Sequence, residues 1–182
     1  MRLFVALFPP PNVRESMLEA ARQAVSASSS PDELRWTSPK NIHLTFRFLG
    51  DVAPAKVGEL SVALRAVVRE HEHFDVAIDR LGAFPSLGKA RVIWFGIGEG
   101  EEAVRELAAD VEEAISSLGF PKEDRPFSPH VTIARTRGRQ VELDARVSVD
   151  VSRFRASRLE LVESTLSSRG ATYASVASYP LA

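Results

Sequence analysis

Cysteine is absent from this 182-residue chain, which excludes disulfides, a thiol nucleophile and any zinc or iron-sulfur site built on thiolates. Lysine is scarce as well, since 19 of the 23 basic residues are arginine. No apolar run approaches the roughly 20 residues of a membrane-spanning helix. The opening Met1-Arg2-Leu3-Phe4-Val5-Ala6-Leu7-Phe8 meets Pro9 to Pro11 too early for a secretory leader, so a soluble cytoplasmic protein is expected. A formal charge of −1 argues against a domain that coats nucleic acid by bulk electrostatics. The charge is uneven, however. Eight arginines fall between Arg125 and Arg158, a stretch whose acids are Glu142, Asp144 and Asp150, and the planar guanidinium suits phosphate contacts. With 45% hydrophobic residues the chain is long enough to bury a core, and a single domain over residues 1–182 is expected.

Apolar spacing predicts a buried strand from Leu3 to Phe8, then a helix carrying Met17, Leu18, Ala21 and Val25, and a loop from Ser26 to Pro31. A strand follows at His43 to Leu49 and a helix through Val57, Leu60, Leu64, Val67 and Val68. Two more strands, Phe74 to Phe84 and Arg91 to Ile97, are joined by a turn around Pro85 to Lys89. A third helix from Glu101 to Leu118 carries Val104, Leu107, Val111 and Ile115 on one face and stops at Gly119. Another strand starts near His130. Strand-like runs complete the chain at Val147 to Val151, Ser157 to Leu166 and Thr172 to Tyr179, the last two joined by the turn Ser167-Ser168-Arg169-Gly170.

What the chain does have is a repetition. Two of its four histidines open the tetrads His43-Leu44-Thr45-Phe46 and His130-Val131-Thr132-Ile133, where chance predicts about 0.1 His-x-Thr pairs in a sequence of this composition. One such tetrad is an ordinary half-buried strand position; two in matching contexts need another explanation. Each follows an apolar strand, a helix and a proline-containing loop. This order indicates an internal duplication on the scale of a lobe. The expected fold is therefore α+β and bilobal. Two pseudo-twofold-related lobes, each with an antiparallel sheet and outer helices, would bring the histidines together in a central cleft.

Strand alternation places His43, Thr45 and Arg47 on one face and Leu44, Phe46 and Phe48 on the other; it pairs His130 with Thr132 and sets Arg135 opposite them. Imidazoles titrating near pH 6.5 can share roles at neutral pH, one giving a proton and one taking it. Two threonine hydroxyls can hold a nonbridging phosphate oxygen. The set suits phosphoryl chemistry without a metal: no acidic partners mark a two-metal site and no third ligand supports zinc. His71 and His73 read as helix-end residues. The Gly82 to Ala90 stretch reads as a hairpin, because its spacing and Ala90 depart from a phosphate-binding loop.

The segments around the tetrads, Asn41-Ile42-His43-Leu44-Thr45-Phe46-Arg47-Phe48-Leu49-Gly50-Asp51 and Phe127-Ser128-Pro129-His130-Val131-Thr132-Ile133-Ala134-Arg135, resemble the two signatures of the 2H phosphoesterases. Within that superfamily they are similar to the bacterial and archaeal RNA 2′,3′-cyclic phosphodiesterases, once named 2′-5′ RNA ligases. Arg2 to Leu7, Gly82-Ala83-Phe84-Pro85 with Ala90 to Trp94, and Glu163-Ser164 with Tyr173 extend the resemblance over most of the chain. It implies opening of a 2′,3′-cyclic phosphate at an RNA end to leave a 2′-phosphate. Nothing in the sequence requires more than a monomer, and neither a cofactor nor membrane contact is expected. By the same analogy His43 protonates the departing 3′ oxygen, His130 activates water, and Thr45 and Thr132 hold the phosphate. Arg135 is then a candidate for the substrate phosphate or base, Phe48 for a surface under the base, and Arg47 for a further substrate contact. The alternatives are 2′-5′ joining of RNA ends and a noncatalytic module that binds such ends.

Overall fold

The first strand, β1 (Arg2–Leu7), is apolar throughout, yet it serves two environments. Leu3, Val5 and Leu7 enter the main core, whereas Phe4 and Ala6 join Val162 in a small cluster that Phe8 and Tyr173 flank. Neighbouring side chains on a strand point to opposite faces, so one face of β1 lies under the helices and the other faces away from them. The computed structural model describes residues 1–25, 31–144, 152–168 and 170–182.

After β1 come α1 (Pro11–Ala24), β2 (Leu34–Trp36), β3 (Leu44–Asp51), α2 (Val57–Arg69), β4 (Phe74–Phe84), β5 (Val92–Ile97) and α3 (Glu101–Ser117). The chain continues with β6 (His130–Thr136), β7 (Ser152–Ala156), β8 (Arg158–Ser167) and β9 (Gly170–Pro180). The three helices stand where apolar periodicity puts them. Pro11 starts α1, and Glu101 and Glu102 occupy the first turn of α3, where negative charge opposes the helix dipole. The expected strand Val147 to Val151 lies outside the described residues, as does most of the expected Ser26 to Pro31 loop; the strand described nearby is β7. Sequence periodicity does not show β2, whose three residues are too few to make a pattern.

All strands pair antiparallel in one nine-stranded sheet of order β7-β4-β5-β6-β3-β1-β8-β9, with β2 added beside β6, and this sheet curls into a half-barrel. Its two halves correspond: β3-β1-β8-β9 mirrors β6-β5-β4-β7, and in each the strand beside the histidine strand leads into a helix. The lobes expected from the duplication are thus continuous through a narrow seam. There β3 and β6 share a single registered pair, Leu44↔Val131, after which β2 takes over the free edge of β6 through Leu34↔Thr136, Arg35↔Arg135 and Trp36↔Ala134. Helices α2 and α3 pack together, and their apolar faces enter the core that holds Leu44 and Val131. Among the described residues no helix is long and apolar enough to cross a membrane.

Candidate active site

The seam positions both tetrads. Because Leu44 pairs with Val131 and both are buried, the antiparallel register sets His43 beside Thr132 and Thr45 beside His130, all on the face away from the helices. The two imidazoles thus stand diagonally across a square whose other corners are hydroxyls. Each ring is oriented in the same way: His43 Nδ1 lies 2.7 Å from the Asn41 carbonyl oxygen and His130 Nδ1 lies 2.8 Å from that of Ser128. A carbonyl only accepts, so in both rings Nδ1 carries the proton that it donates, leaving Nε2 to take or give the reacting one. A proline stands in each of the two loops. Pro39 opens a 3-10 turn that returns the Asn41 carbonyl towards His43, whereas Ser128-Pro129 lies in irregular chain that runs straight into β6.

The surroundings of the two rings differ. His43 is packed by Phe4, Phe8 and Tyr173, with ring centroids 4.9, 5.4 and 5.2 Å away. Burial among these rings holds its pKa below the ordinary 6.5; the Asn41 carbonyl pulls upward, and the charge of nearby His130 adds to the depression. His130 has Phe84 and Trp94 edge-on at 5.9 and 6.2 Å. The Trp94 indole lies flat across Gly82, where a side chain of any size would collide with it, and Phe84 remains 45% exposed beside it. Phe4 and Phe8 were hidden in a run that reads as plain core; β1's second face is what brings them to the site.

Alternation misplaces three residues, and one device explains all three. Against β1, β3 passes from Ala6↔Thr45 to Val5↔Arg47, so Phe46 is an extra residue, a β-bulge. Against β5, β6 passes from Trp94↔Thr132 to Ile93↔Ala134, so Ile133 is the extra residue at the matching position. Beyond each bulge the faces exchange. Arg47, expected on the His43 face, is instead 5% exposed on the opposite side. There it meets Glu112 at 2.8 Å and Glu123 at 2.6 Å and donates to the Pro121 carbonyl. Phe48, expected on the core face with Leu44 and Phe46, stands 62% exposed on the His43 face with its ring 6.0 Å from Phe4. Arg135 likewise returns to the face of His130 and Thr132, exposed. Phe48 and Arg135 are therefore equivalent positions, one in each half.

Other candidates fall elsewhere. His71 bonds Asp110 at 2.7 Å and His73 contacts Arg155 at 3.2 Å, near the end of α2. Among the described residues no three His, Asp or Glu side chains converge. Surface depressions around His73, Ser157 and Arg158 and around Glu15, Glu19 and Arg22 contain neither tetrad. In the sequence, Asn41 stands out only as part of a motif. Its side-chain amide donates to the Ala171 carbonyl at 2.8 Å and so fastens the start of β9, which carries Tyr173, to the loop that orients His43.

Fold and site together define a duplicated half-barrel with one His-x-Thr strand in each half. The chain belongs to the LigT-like phosphoesterases, whose family model matches residues 7–94 and 97–173. It is similar to the RNA 2′,3′-cyclic phosphodiesterase of Geobacillus stearothermophilus, 43% identical over 120 residues, a match that covers 63% of this chain and 38% of that protein. The protein of the same name from Aeropyrum pernix is 31% identical over 163 residues, covering 86% of this chain and 90% of that one. Among solved structures, TT0787 of Thermus thermophilus superposes with a TM-score of 0.83 at 25% identity, covering 100% of this chain and 98% of that one.

Proposed function

We propose that this protein hydrolyses RNA 2′,3′-cyclic phosphate ends to 2′-phosphates by metal-independent acid–base catalysis between His43 and His130, with both lobes forming one catalytic domain. The observation that carries this reading is the square of two imidazoles and two hydroxyls, each imidazole held by its Nδ1–H so that Nε2 is left for chemistry. The names of the relatives support the substrate. Water attacks phosphorus as one imidazole takes its proton, the bond from phosphorus to the 3′ oxygen breaks, and the other imidazole protonates that oxygen. Thr45 and Thr132 donate to the nonbridging oxygens, where charge develops. Phe48 offers an aromatic face and Arg135 a planar guanidinium, both suited to stacking on a base. One copy contains the whole set, so a monomer suffices.

Resemblance makes His43 the acid and His130 the base. A specific observation favours the reverse: burial keeps His43 neutral in the free protein, the state a base needs. Replacing the leaving 3′ oxygen by sulfur decides between them. A thiolate leaves without a proton, so this substrate restores turnover to the variant lacking the acid and not to the one lacking the base.

With EDTA present, the purified protein is expected to open a 2′,3′-cyclic nucleotide to the 2′-nucleotide with a bell-shaped pH profile. His43→Ala and His130→Ala are each expected to lower kcat by about 10²- to 10⁴-fold. Unchanged turnover in either variant sinks the mechanism. Binding of cyclic-ended RNA without turnover by the wild type would establish a binding module, and joined RNA halves a ligase.

A further inference from the structure

Of the eight arginines between Arg125 and Arg158, the catalytic reading uses only Arg135. The structure places four of the others in two groups. Arg153 and Arg155, on the edge strand β7, meet Glu99 at 3.1 Å and Asp75 at 3.2 Å. Arg137 and Arg139 follow Arg135 as β6 leaves the seam, and all three are exposed. Among the described residues none of the three has a carboxylate within ion-pair distance.

A fourth arginine joins them from another element. The β2–β6 ladder sets Arg35 directly opposite Arg135, and residues so paired share one face. The Arg35 guanidinium reaches Gly170, at the start of β9, so this group stands at the rim where the two halves approach. The Arg137 amide bonds the Glu33 carbonyl at 2.7 Å, which continues the ladder and returns Arg137 to the Arg135 face. Alternate side chains on a strand stand about 6.6 Å apart, close to the phosphate-to-phosphate stride of an extended RNA single strand. The line from Thr132 through Arg135 to Arg137, with Arg35 alongside, leads away from the catalytic square.

We propose that Arg35 and Arg137, flanking Arg135, bind the phosphodiesters of the single strand on the 5′ side of the cyclic end, so that the preferred substrate is an oligonucleotide rather than a mononucleotide. The inference rests on the reading of the site as one for cyclic-ended RNA. Arginine suits the role because its fork pairs with phosphate oxygens and its plane stacks on bases.

The test compares 2′,3′-cyclic AMP with an unstructured hexaadenylate ending in a 2′,3′-cyclic phosphate. At low salt the wild-type kcat/KM should favour the hexanucleotide on the order of tenfold, and this advantage should fade as salt rises. Arg35→Gln and Arg137→Gln should each lower the hexanucleotide value on the order of fivefold. Each should also flatten its logarithmic salt slope by about 0.7, with cyclic AMP kinetics unchanged; that unchanged activity also shows the variants are folded. Arg155→Gln on β7 should alter neither substrate. Equal kcat/KM for the two substrates, or variants that lose both in parallel, overturns the track while leaving the catalytic reading intact. A wild type that opens neither substrate overturns that reading, and the track with it.

Discussion

The hydroxyls of Thr45 and Thr132 have the most direct chemical consequence at the scale of single residues, because each stands beside the imidazole of the other half. A donor aimed at an oxygen that gains charge contributes most in the transition state. Thr45→Val and Thr132→Val are each expected to lower kcat by about 10²-fold with a smaller change in KM. A loss confined to KM would show that the hydroxyls only bind the ground state. His43 adds a pH dependence to stability. Its folded pKa is depressed by burial, so as pH falls below about 6.5 the unfolded chain takes up the proton before the folded one does. The contribution is complete above about pH 6.5 and is lost as pH falls towards the depressed value. Urea midpoints at about pH 7.5 and about pH 5.5 should therefore differ less in His43→Gln than in the wild type. Equal pH sensitivity in the two proteins would place the cost of burial elsewhere.

At the scale of strands, the decisive feature is a pair of bulges that leaves no mark in the sequence. The tetrads, the three helices and the β4–β5 hairpin are legible because their periodicity is local. A bulge is a relation between two strands, and neither Phe46 nor Ile133 differs from an ordinary core residue until the partner's register is known. For this reason alternation assigns Arg47 to the cleft and Phe48 to the core, the reverse of where the structure puts them. Buried Arg47 ties β3, the strand that His43 leads into, to Glu112 on α3 and to Pro121 and Glu123 in the segment leading to His130. Phe48 ties nothing. The two therefore predict opposite outcomes. Arg47→Met, which leaves Glu112 and Glu123 without their shared cation, should cost about 2–3 kcal/mol in chemical denaturation, below the full cost of breaking a wholly buried pair because both acids keep some contact with water. Its KM for a cyclic mononucleotide should be unchanged. Phe48→Ala should leave stability unaltered and raise that KM; a stability loss there instead would mean that the ring belongs to the core.

At the scale of the whole molecule, duplication was readable from the repeated strand, helix and histidine order, whereas the narrowness of the join was not. The two strands that carry the tetrads, β3 and β6, meet through one registered pair, and each half contributes one imidazole and one hydroxyl to the same face. On the proposed reaction, a 2′-nucleotide product held by both halves would cross-link that seam, and binding to the folded state alone raises stability by about 2.7 kcal/mol at 100 times Kd. A 2′-nucleotide should therefore raise the unfolding midpoint of the wild type, and Thr45→Val with Thr132→Val together should remove most of that rise. Because the backbone halves are equivalent while their aromatic surroundings are not, the single variants test how far the symmetry reaches. Similar losses from Thr45→Val and Thr132→Val would mean that both halves grip the phosphate alike. If only one variant weakens the shift, the phosphate is held by a single half, and the square of side chains is symmetric in the apoprotein alone.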